Sequence, residues 1–173
     1  MVLIIAPRYR ARMFLATMLA ALSATADPAH AALDRLTGCW DSPGEVMGKP
    51  VKGRVRGAWR LGGRYLLLEW HGLDPADPYD AAIILGDHDK TKLASTWMDS
   101  FGAANGATGK GEVTDGAIAV DYAYPEASYA NRLVPEGKGW RWTIVERKPD
   151  GSERPFASYR LTPTACGDTK FAF

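Results

Sequence analysis

The sequence lacks the short motifs that identify the common classes of enzyme. It has no Gly-x-Ser-x-Gly elbow, no glycine-rich phosphate loop ending in Lys-Ser or Lys-Thr, no His-Glu-x-x-His helix and no Cys-x-x-Cys pair. The usual hydrolases, NTPases, zinc metalloproteases and thiol oxidoreductases are therefore disfavoured. An isomerase, lyase or cyclase that uses one acid–base pair stays open, because such sites have no local signature.

The chain also lacks a large excess of positive or negative charge. It has no long apolar run after residue 26. It has 21 basic and 20 acidic residues, and three of the arginines precede residue 26, so the remainder is slightly acidic. The basic residues alternate with apolar ones and form no stripe, which argues against binding to nucleic acid. No later run is long enough for stable insertion in a membrane.

The first 26 residues have the pattern of a secretory signal peptide. A basic region with three arginines over 8–12 precedes an apolar run over 13–21, and Ala24-Thr25-Ala26 fits the small-x-small cleavage pattern. A buried amphipathic helix is the alternative, and the absence of acidic residues disfavours it. We expect 1–26 to be removed and 27–173 to form one exported domain, in the periplasm or outside the cell.

Only two cysteines are present, Cys39 and Cys166, close to the ends of the predicted mature chain. An even pair in an exported protein usually forms a disulfide. Closing so long a loop would stabilise the fold by at most about 5 kcal/mol in the chain-entropy model. Two free thiols or a metal-binding pair are the alternatives. No other residues have the spacing of a metal site, so no metal is expected.

The stretch from Arg54 to His71 has the pattern of a β-hairpin. Two strand-like runs flank Gly62-Gly63, and two glycines suit a two-residue turn in which both residues have positive φ. The turn sets the register, with Trp59 opposite Leu66 and Val55 opposite Trp70, and side chains then alternate between two faces. One face is apolar and carries Val55, Gly57, Trp59, Leu66, Leu68 and Trp70, whereas the other is charged and carries Arg54, Arg56, Glu69 and His71.

Turn signals recur along the rest of the chain, and the runs between them have the length of strands. In one of them, Ile118, Val120, Tyr122 and Tyr124 share a face. Asp27-Pro28 is typical of the start of a helix, here over 29–36. The pattern predicts an all-β fold, a single antiparallel up-and-down barrel of about 8–10 strands with a short N-terminal helix. A β-sandwich is the alternative, but its crossovers need longer connections.

Three segments stand out: Gly38-Cys39-Trp40 after the helix, Leu61-Gly62-Gly63-Arg64-Tyr65 at the hairpin, and Ser95-Thr96-Trp97-Met98-Asp99-Ser100. Together they resemble a bacterial family of unknown function with a lipocalin-like (calycin) barrel, distantly related to the nitrobindin-type haem barrels. The chain departs from the family at Asp87-His88-Asp89, where the family has Tyr-Asp. Neither of the two predicted late strands, 139–147 and 154–161, contains a histidine that could serve as the proximal ligand, so haem is disfavoured and no cofactor is expected.

The resemblance implies a structural role for Trp40. In lipocalin-like barrels this tryptophan closes one end of the barrel beneath an arginine of the last strand, which here would be Arg160. The cation–π contact would contribute about 1–2 kcal/mol.

The resemblance also implies a lumen that is either filled by side chains or holds one small ligand. The candidate ligand-binding residues are Trp97, Asp99, Trp59, Trp70 and Tyr122. The alternative for the aromatic residues is an ordinary core. Asp99 shares a strand face with Trp97, and it either lines the pocket or accepts N–H groups from the turn that follows.

The catalytic candidates are Asp99, Glu69 and His71. If the charged face of the hairpin pointed into the lumen, Glu69 and His71 would offer a carboxylate and an imidazole for acid–base chemistry. An outer face with a cross-strand ion pair is the favoured alternative, because the opposite face is so uniformly apolar.

These patterns predict an exported barrel that binds a small apolar or amphipathic molecule. One alternative is an enzyme of the same fold, an isomerase, lyase or cyclase with an acid–base pair in the lumen. Another is an envelope protein whose barrel is filled. The oligomeric state is left open.

Overall fold

The computed structural model describes residues 27–169 and Phe171, and the predicted signal peptide lies outside the described residues. One helix, α1 (Pro28–Asp34), precedes ten strands. The strands are β1 (Gly38–Val46), β2 (Lys49–Arg60), β3 (Tyr65–Gly72), β4 (Asp80–Asp89), β5 (Lys92–Asp99), β6 (Ala107–Thr114), β7 (Ala117–Ala123), β8 (Ser128–Glu136), β9 (Gly139–Arg147) and β10 (Glu153–Thr164). Within the described ranges, no helix is long and apolar enough to cross a membrane.

The ten strands form one closed up-and-down barrel. Each strand pairs antiparallel with the next one in sequence, and β1 pairs with β10 to complete the circle. Closure satisfies the backbone hydrogen-bonding groups of both edge strands. The predicted fold class is confirmed, including the short N-terminal helix.

The β2–β3 hairpin has the predicted register along its whole length. Its turn is longer than expected, because Leu61 takes a positive φ of 50° in addition to the two glycines. The turn spans residues 61–64, and the first pair of the ladder joins Arg60 to Tyr65. The register is unchanged, because a two-residue and a four-residue turn centred on the same glycines preserve the same pairing.

The predicted apolar face of the hairpin is the inner face of the barrel. Its buried side chains include Val55, Leu66, Leu68 and Trp70. The later strands contribute Ile118, Val120, Tyr122, Trp140, Trp142 and Ile144 to the same core. The alternation read from the sequence therefore identifies the inward residues of these strands.

Helix α1 closes one end of the barrel, together with the turns β2–β3, β4–β5, β6–β7 and β8–β9; we call this the plugged end. Asp27 caps the helix by accepting from the Ala29 N–H at 2.9 Å, as predicted. Ala29 and Leu33 are buried in the barrel. The Trp40 indole N–H donates to the Leu36 carbonyl at 3.1 Å, so Trp40 does belong to this closure.

Arg160 does not cover Trp40, and that expectation is wrong. The Arg160 side chain is 66% exposed and lies 3.4 Å from the Glu136 carboxylate. The physical reason is strand alternation, since the inward positions in this part of β10 have odd residue numbers. A cation–π contact at the plugged end comes instead from Arg35, whose guanidinium lies 5.0 Å from the centre of the Trp140 ring.

Cys39 and Cys166 form the predicted disulfide. It joins the start of β1 to the segment that follows β10, at the plugged end. That segment then crosses the outer face of β2, where the Arg54 guanidinium donates to the Thr169 hydroxyl at 2.7 Å.

Candidate functional site

The opposite end of the barrel, which we call the open end, contains a cavity of about 450 Å³. The loops β3–β4, β5–β6 and β7–β8 and the start of β10 surround it. Its described lining is mainly apolar and rich in aromatic residues, which are Tyr79, Trp97, Phe101, Tyr122, Tyr124, Tyr129 and Phe156. The polar lining residues are Asp99, Asn105, Glu126 and Asn131. Mainly apolar cavities with a few polar groups are typical of small-molecule sites.

Trp97 and Asp99 reach the cavity because they lie two residues apart at the end of β5, on its inward face. The Asp99 carboxylate accepts from the Tyr79 hydroxyl at 3.3 Å and from the Trp97 indole N–H at 3.2 Å. Its other oxygen accepts from the Phe101 N–H at 3.0 Å. Asp99 therefore lines the cavity and also accepts a hydrogen bond from the turn that follows. Both alternatives considered for this residue are present together.

Two hydrogen-bonded pairs lie deeper in the lumen. The hydroxyls of Ser95 and Tyr122 are 2.6 Å apart, and Ser95 donates to the Ile84 carbonyl at 3.0 Å, so that Tyr122 donates to Ser95. The Trp142 indole N–H donates to the Asn131 side-chain oxygen at 2.9 Å. Satisfied polar pairs in an apolar interior hold the attached rings in fixed orientations.

Burial raises the pKa of several tyrosines in the cavity. It is the largest cause at Tyr79 and Tyr122, and lifts the pKa of each well above the usual value of 10.0. The charge of Asp99 raises the pKa of Tyr79 further, and burial followed by Asp99 raises that of Tyr124. These hydroxyls therefore remain protonated at neutral pH and can donate hydrogen bonds to a ligand.

Two tryptophans that were expected to bind ligand lie away from the cavity. Trp59 is at the plugged end, where its ring stacks on His30 with centroids 4.4 Å apart and its indole N–H donates to Asp34 at 2.9 Å. Trp70 points into the barrel, but its indole N–H donates to the buried Ser42 at 3.2 Å and its ring is outside the described lining. The expectation that they line the pocket is wrong, because facing inward does not place a side chain at the open end.

Glu69 and His71 lie on the outer face of β3, so the less favoured hypothesis, in which they share the lumen with Asp99, is wrong. Glu69 forms an ion pair with Arg56 across the hairpin, with a nitrogen–oxygen distance of 2.6 Å. The His71 Nδ1 lies 2.6 Å from the Asp80 carboxylate. Strand alternation sends these side chains outward once their apolar neighbours face the core. The outer face with a cross-strand ion pair, the favoured alternative, is the arrangement present.

Most of the cavity lining outside β5 and β7 was missed from sequence. Tyr79 and Phe101 lie in loops, where no alternation indicates a direction. Phe156 lies at a register shift in β10, which interrupts the alternation. The alternation placed Tyr124 on the same face as Tyr122, but Tyr124 was not among the candidate ligand-binding residues. Asn131 carries no signal, because a polar residue at an inward position contradicts the usual pattern.

No protein-family model matches the sequence, and no protein of curated function matches it. Solved structures with similar architecture do match. Rv2717c from M. tuberculosis is 16% identical, with a TM-score of 0.57 over 79% of this chain and 98% of that protein. The S-type phycobiliprotein lyase CPES from Guillardia theta is 12% identical, with a TM-score of 0.51 over 75% of this chain and 88% of that protein. At these identities the likeness shows the fold alone, a lipocalin-like barrel.

Proposed function

We propose that this protein is exported and binds a small apolar or amphipathic molecule in the open end of its barrel. The observation that carries the proposal is the cavity of about 450 Å³. Its volume falls within the range of about 300–1,000 Å³ that is typical of ligand pockets. A barrel filled by its own side chains would leave no such space, so the envelope-protein alternative is disfavoured.

The lining indicates how a ligand would be held. The aromatic rings supply apolar contact area, while the hydroxyls of Tyr79 and Tyr124 and the carboxylate of Asp99 supply a few fixed polar groups. Because Asp99 is held by three donors, its position does not depend on the ligand. A preorganised polar group costs little entropy when a ligand binds to it.

Two observations support export. The Cys39–Cys166 disulfide is of a kind that persists in oxidising compartments and is rare in the cytosol. The first 26 residues also have the pattern of a signal peptide. Membership of the bacterial family that the sequence resembles stays a prediction.

The enzyme alternative has less support. It assigned Glu69 and His71 to the lumen as the partners of Asp99, and both lie on the outer face of the barrel. Asp99 is left in the cavity without the acid–base partners that this hypothesis requires.

Native mass spectrometry and an absorbance spectrum of the protein purified from its natural host are the direct test. We expect a small molecule to be retained. A Soret band would overturn the expectation that haem is not bound. A protein that retains nothing and also fails to bind an apolar dye would overturn the proposed function.

The dye N-phenyl-1-naphthylamine, which fluoresces when it leaves water, allows the site to be mapped. Trp97→Ala is expected to weaken its affinity by about tenfold, or about 1.4 kcal/mol, because a large ring is lost from the cavity wall. Trp59→Ala is the matched control, since it removes the same side chain from the plugged end, and it should change the affinity by less than about twofold. Equal effects of the two substitutions would contradict the placement of the site.

A further inference from the structure

The aromatic rings at the cavity form two packed groups. Tyr124 and Tyr129 pack edge to face with centroids 5.4 Å apart, and Tyr129 and Phe156 do so at 5.0 Å. Tyr79 and Phe101 lie 5.3 Å apart in a second group. The face of an aromatic ring carries partial negative charge and attracts a cation within about 6 Å of its centre. This lining therefore suits a cationic group as well as an apolar one.

The charged residues in the described lining, Asp99 and Glu126, are both acidic. Lysine, arginine and histidine do not occur among the described residues that line the cavity. Asp99 accepts hydrogen bonds from neutral donors, and in the described part of the chain neither carboxylate forms an ion pair. Glu146, which faces inward near the rim, is paired with Arg154. Among the described residues, the cavity therefore contains two carboxylates that are not paired with a basic side chain.

The negative charge of these carboxylates contributes, after burial, to the raised pKa values of the cavity tyrosines. After burial, which is the largest cause, the charge of Asp99 raises the pKa of Tyr79 and Tyr124. At Tyr129, burial and then Glu146 raise the pKa, Arg154 lowers it, and Glu126 raises it. A negative potential that opposes the ionisation of a hydroxyl also favours a positive charge placed in the same space.

We infer that the ligand of this cavity is an organic cation, an amine or a quaternary ammonium group attached to an apolar frame. The inference rests on the proposed function, because it requires the cavity to bind a ligand at all. The cationic group would lie against Asp99 and the surrounding ring faces, and the frame would extend into the lumen towards Tyr122. An anionic ligand would instead place its charge beside these two carboxylates.

Three probes test the effect of ligand charge, because they share a phenyl ring on a four-carbon chain and differ in the charge of the end group. They are 4-phenylbutyltrimethylammonium, 4-phenylbutan-1-ol and 4-phenylbutanoate. Each is titrated against the protein loaded with N-phenyl-1-naphthylamine, and displacement of the dye reports affinity. The cation is expected to bind about tenfold more tightly than the alcohol, and the carboxylate more weakly than the alcohol. Raising NaCl to about 1 M should reduce the advantage of the cation and leave the alcohol unchanged, because salt screens charges but not apolar contacts.

Substitutions assign the effect to the carboxylates of the cavity. Asp99→Asn should remove most of the preference for the cation while the affinity for the alcohol changes less than about twofold. The matched control is Asp115→Asn at the plugged end, which removes the same charge far from the cavity and should change neither affinity. Asp115 has a φ of 52°, a conformation that asparagine readily adopts. If Asp99→Asn fails to fold, Glu126→Gln at the exposed rim and the salt series give the same test.

The outcomes distinguish this inference from the proposed function. If the dye and the alcohol bind but the cation binds no better, the inference is overturned and the proposed function stands. If the carboxylate binds best, the inference is overturned in the same way. If neither the dye nor any of the three probes binds, both are overturned. If Asp115→Asn reduces the preference as much as Asp99→Asn, the preference arises from net charge and the cavity does not recognise the cation.

Discussion

Glu69 is a carboxylate that is buried on the outside of the barrel. It pairs with Arg56, whose guanidinium lies 4.7 Å from the centre of the Phe171 ring. The same ring lies 6.4 Å from that of His71. The segment after β10 therefore covers a face that strand alternation alone directs towards water. A buried carboxylate in this position contributes to the stability of the fold through its hydrogen-bonded charged partner.

Glu69→Ala is expected to destabilise the protein without changing ligand binding. Loss of a charge-assisted hydrogen bond should lower the free energy of unfolding by about 2 kcal/mol, measured by urea denaturation. The affinity for N-phenyl-1-naphthylamine should not change, because Glu69 lies outside the lumen. Asp121→Ala is the control: Asp121 is 62% exposed and pairs with Arg147 at 3.3 Å. Its loss should cost less than about 0.5 kcal/mol. A weaker affinity for the dye in Glu69→Ala would contradict the outward placement.

The buried tyrosines make the stability sensitive to alkaline pH. Burial raises the pKa of Tyr159 to about 12 and raises that of Tyr122 as well. In the unfolded chain a tyrosine titrates near a pKa of about 10. Above that pH the unfolded state binds fewer protons than the folded state, so the stability falls as pH rises. The contribution is fully present below about pH 10 and is lost as pH rises from there towards the folded pKa.

We therefore expect the free energy of unfolding to be insensitive to these groups up to about pH 9 and to fall above about pH 10. Each such tyrosine contributes a slope of about 1.4 kcal/mol per pH unit. Tyr159→Phe keeps the ring and removes the ionisable hydroxyl, so its urea midpoints should fall less steeply with pH. Tyr65→Phe, at a residue 42% exposed, is the matched control and should leave the slope as in the parent protein. Identical slopes in all three proteins would contradict the assignment.

Helix α1 docks on the barrel through a close approach of two backbones. A Cβ atom built on Gly57 in β2 would lie 2.0 Å from the Leu36 carbonyl oxygen. Backbone cannot move aside as a flexible side chain can, so only glycine allows the connection between α1 and β1 to cross β2 at this distance. The closure of the plugged end depends on this one contact as well as on the apolar residues of the helix.

Gly57→Ala is expected to loosen α1 and to lower the free energy of unfolding by about 2 kcal/mol, because the added methyl group overpacks the contact. Gly106→Ala serves as the matched control. Gly106 has a φ of −69°, and the atoms nearest to a Cβ built there are 3.5 Å away. The control should be neutral or stabilised by up to about 1 kcal/mol. Urea denaturation measures both, and equal stability of the two variants would show that the close approach carries no cost.

The two ends of the barrel have different roles, one in stability and one in the proposed ligand binding. The plugged end holds α1 and the disulfide that joins residues 127 positions apart in sequence. The open end holds the cavity. The disulfide restricts the unfolded chain over almost all of the barrel, so it stabilises the fold without contacting the site.

A Cys39→Ser/Cys166→Ser double variant should lose about 4 kcal/mol of unfolding free energy relative to the oxidised protein. Its affinity for N-phenyl-1-naphthylamine should be retained under conditions in which it remains folded. Urea denaturation of the parent protein with and without dithiothreitol is the control, and the reduced parent should match the variant. Unchanged stability on reduction would mean that the disulfide does not constrain the unfolded chain.

Features that are set by residues close together in the chain were predictable from the sequence. The register of β2 with β3 follows from the position of two glycines, and the inward direction of Trp97, Asp99 and Tyr122 follows from a period of two along a strand. The same alternation applies to Arg160. Its neighbours in β10, Tyr159 and Leu161, face inward, so Arg160 faces away from the core. Loop residues such as Phe101 were not predictable, since a loop has no period.

The sequence by itself determined the strands, the cap of α1, the cysteine pair and, where the alternation is regular as in the β2–β3 hairpin and β7, which side chains face inward. Only the tertiary structure decided how far along the barrel axis each inward side chain lies. Trp97 and Trp59 both obey the same alternation, yet one lines the cavity and the other stacks on His30 at the plugged end. The physical reason is that alternation is a property of one strand, whereas position along the axis depends on the stagger of all ten strands when the barrel closes.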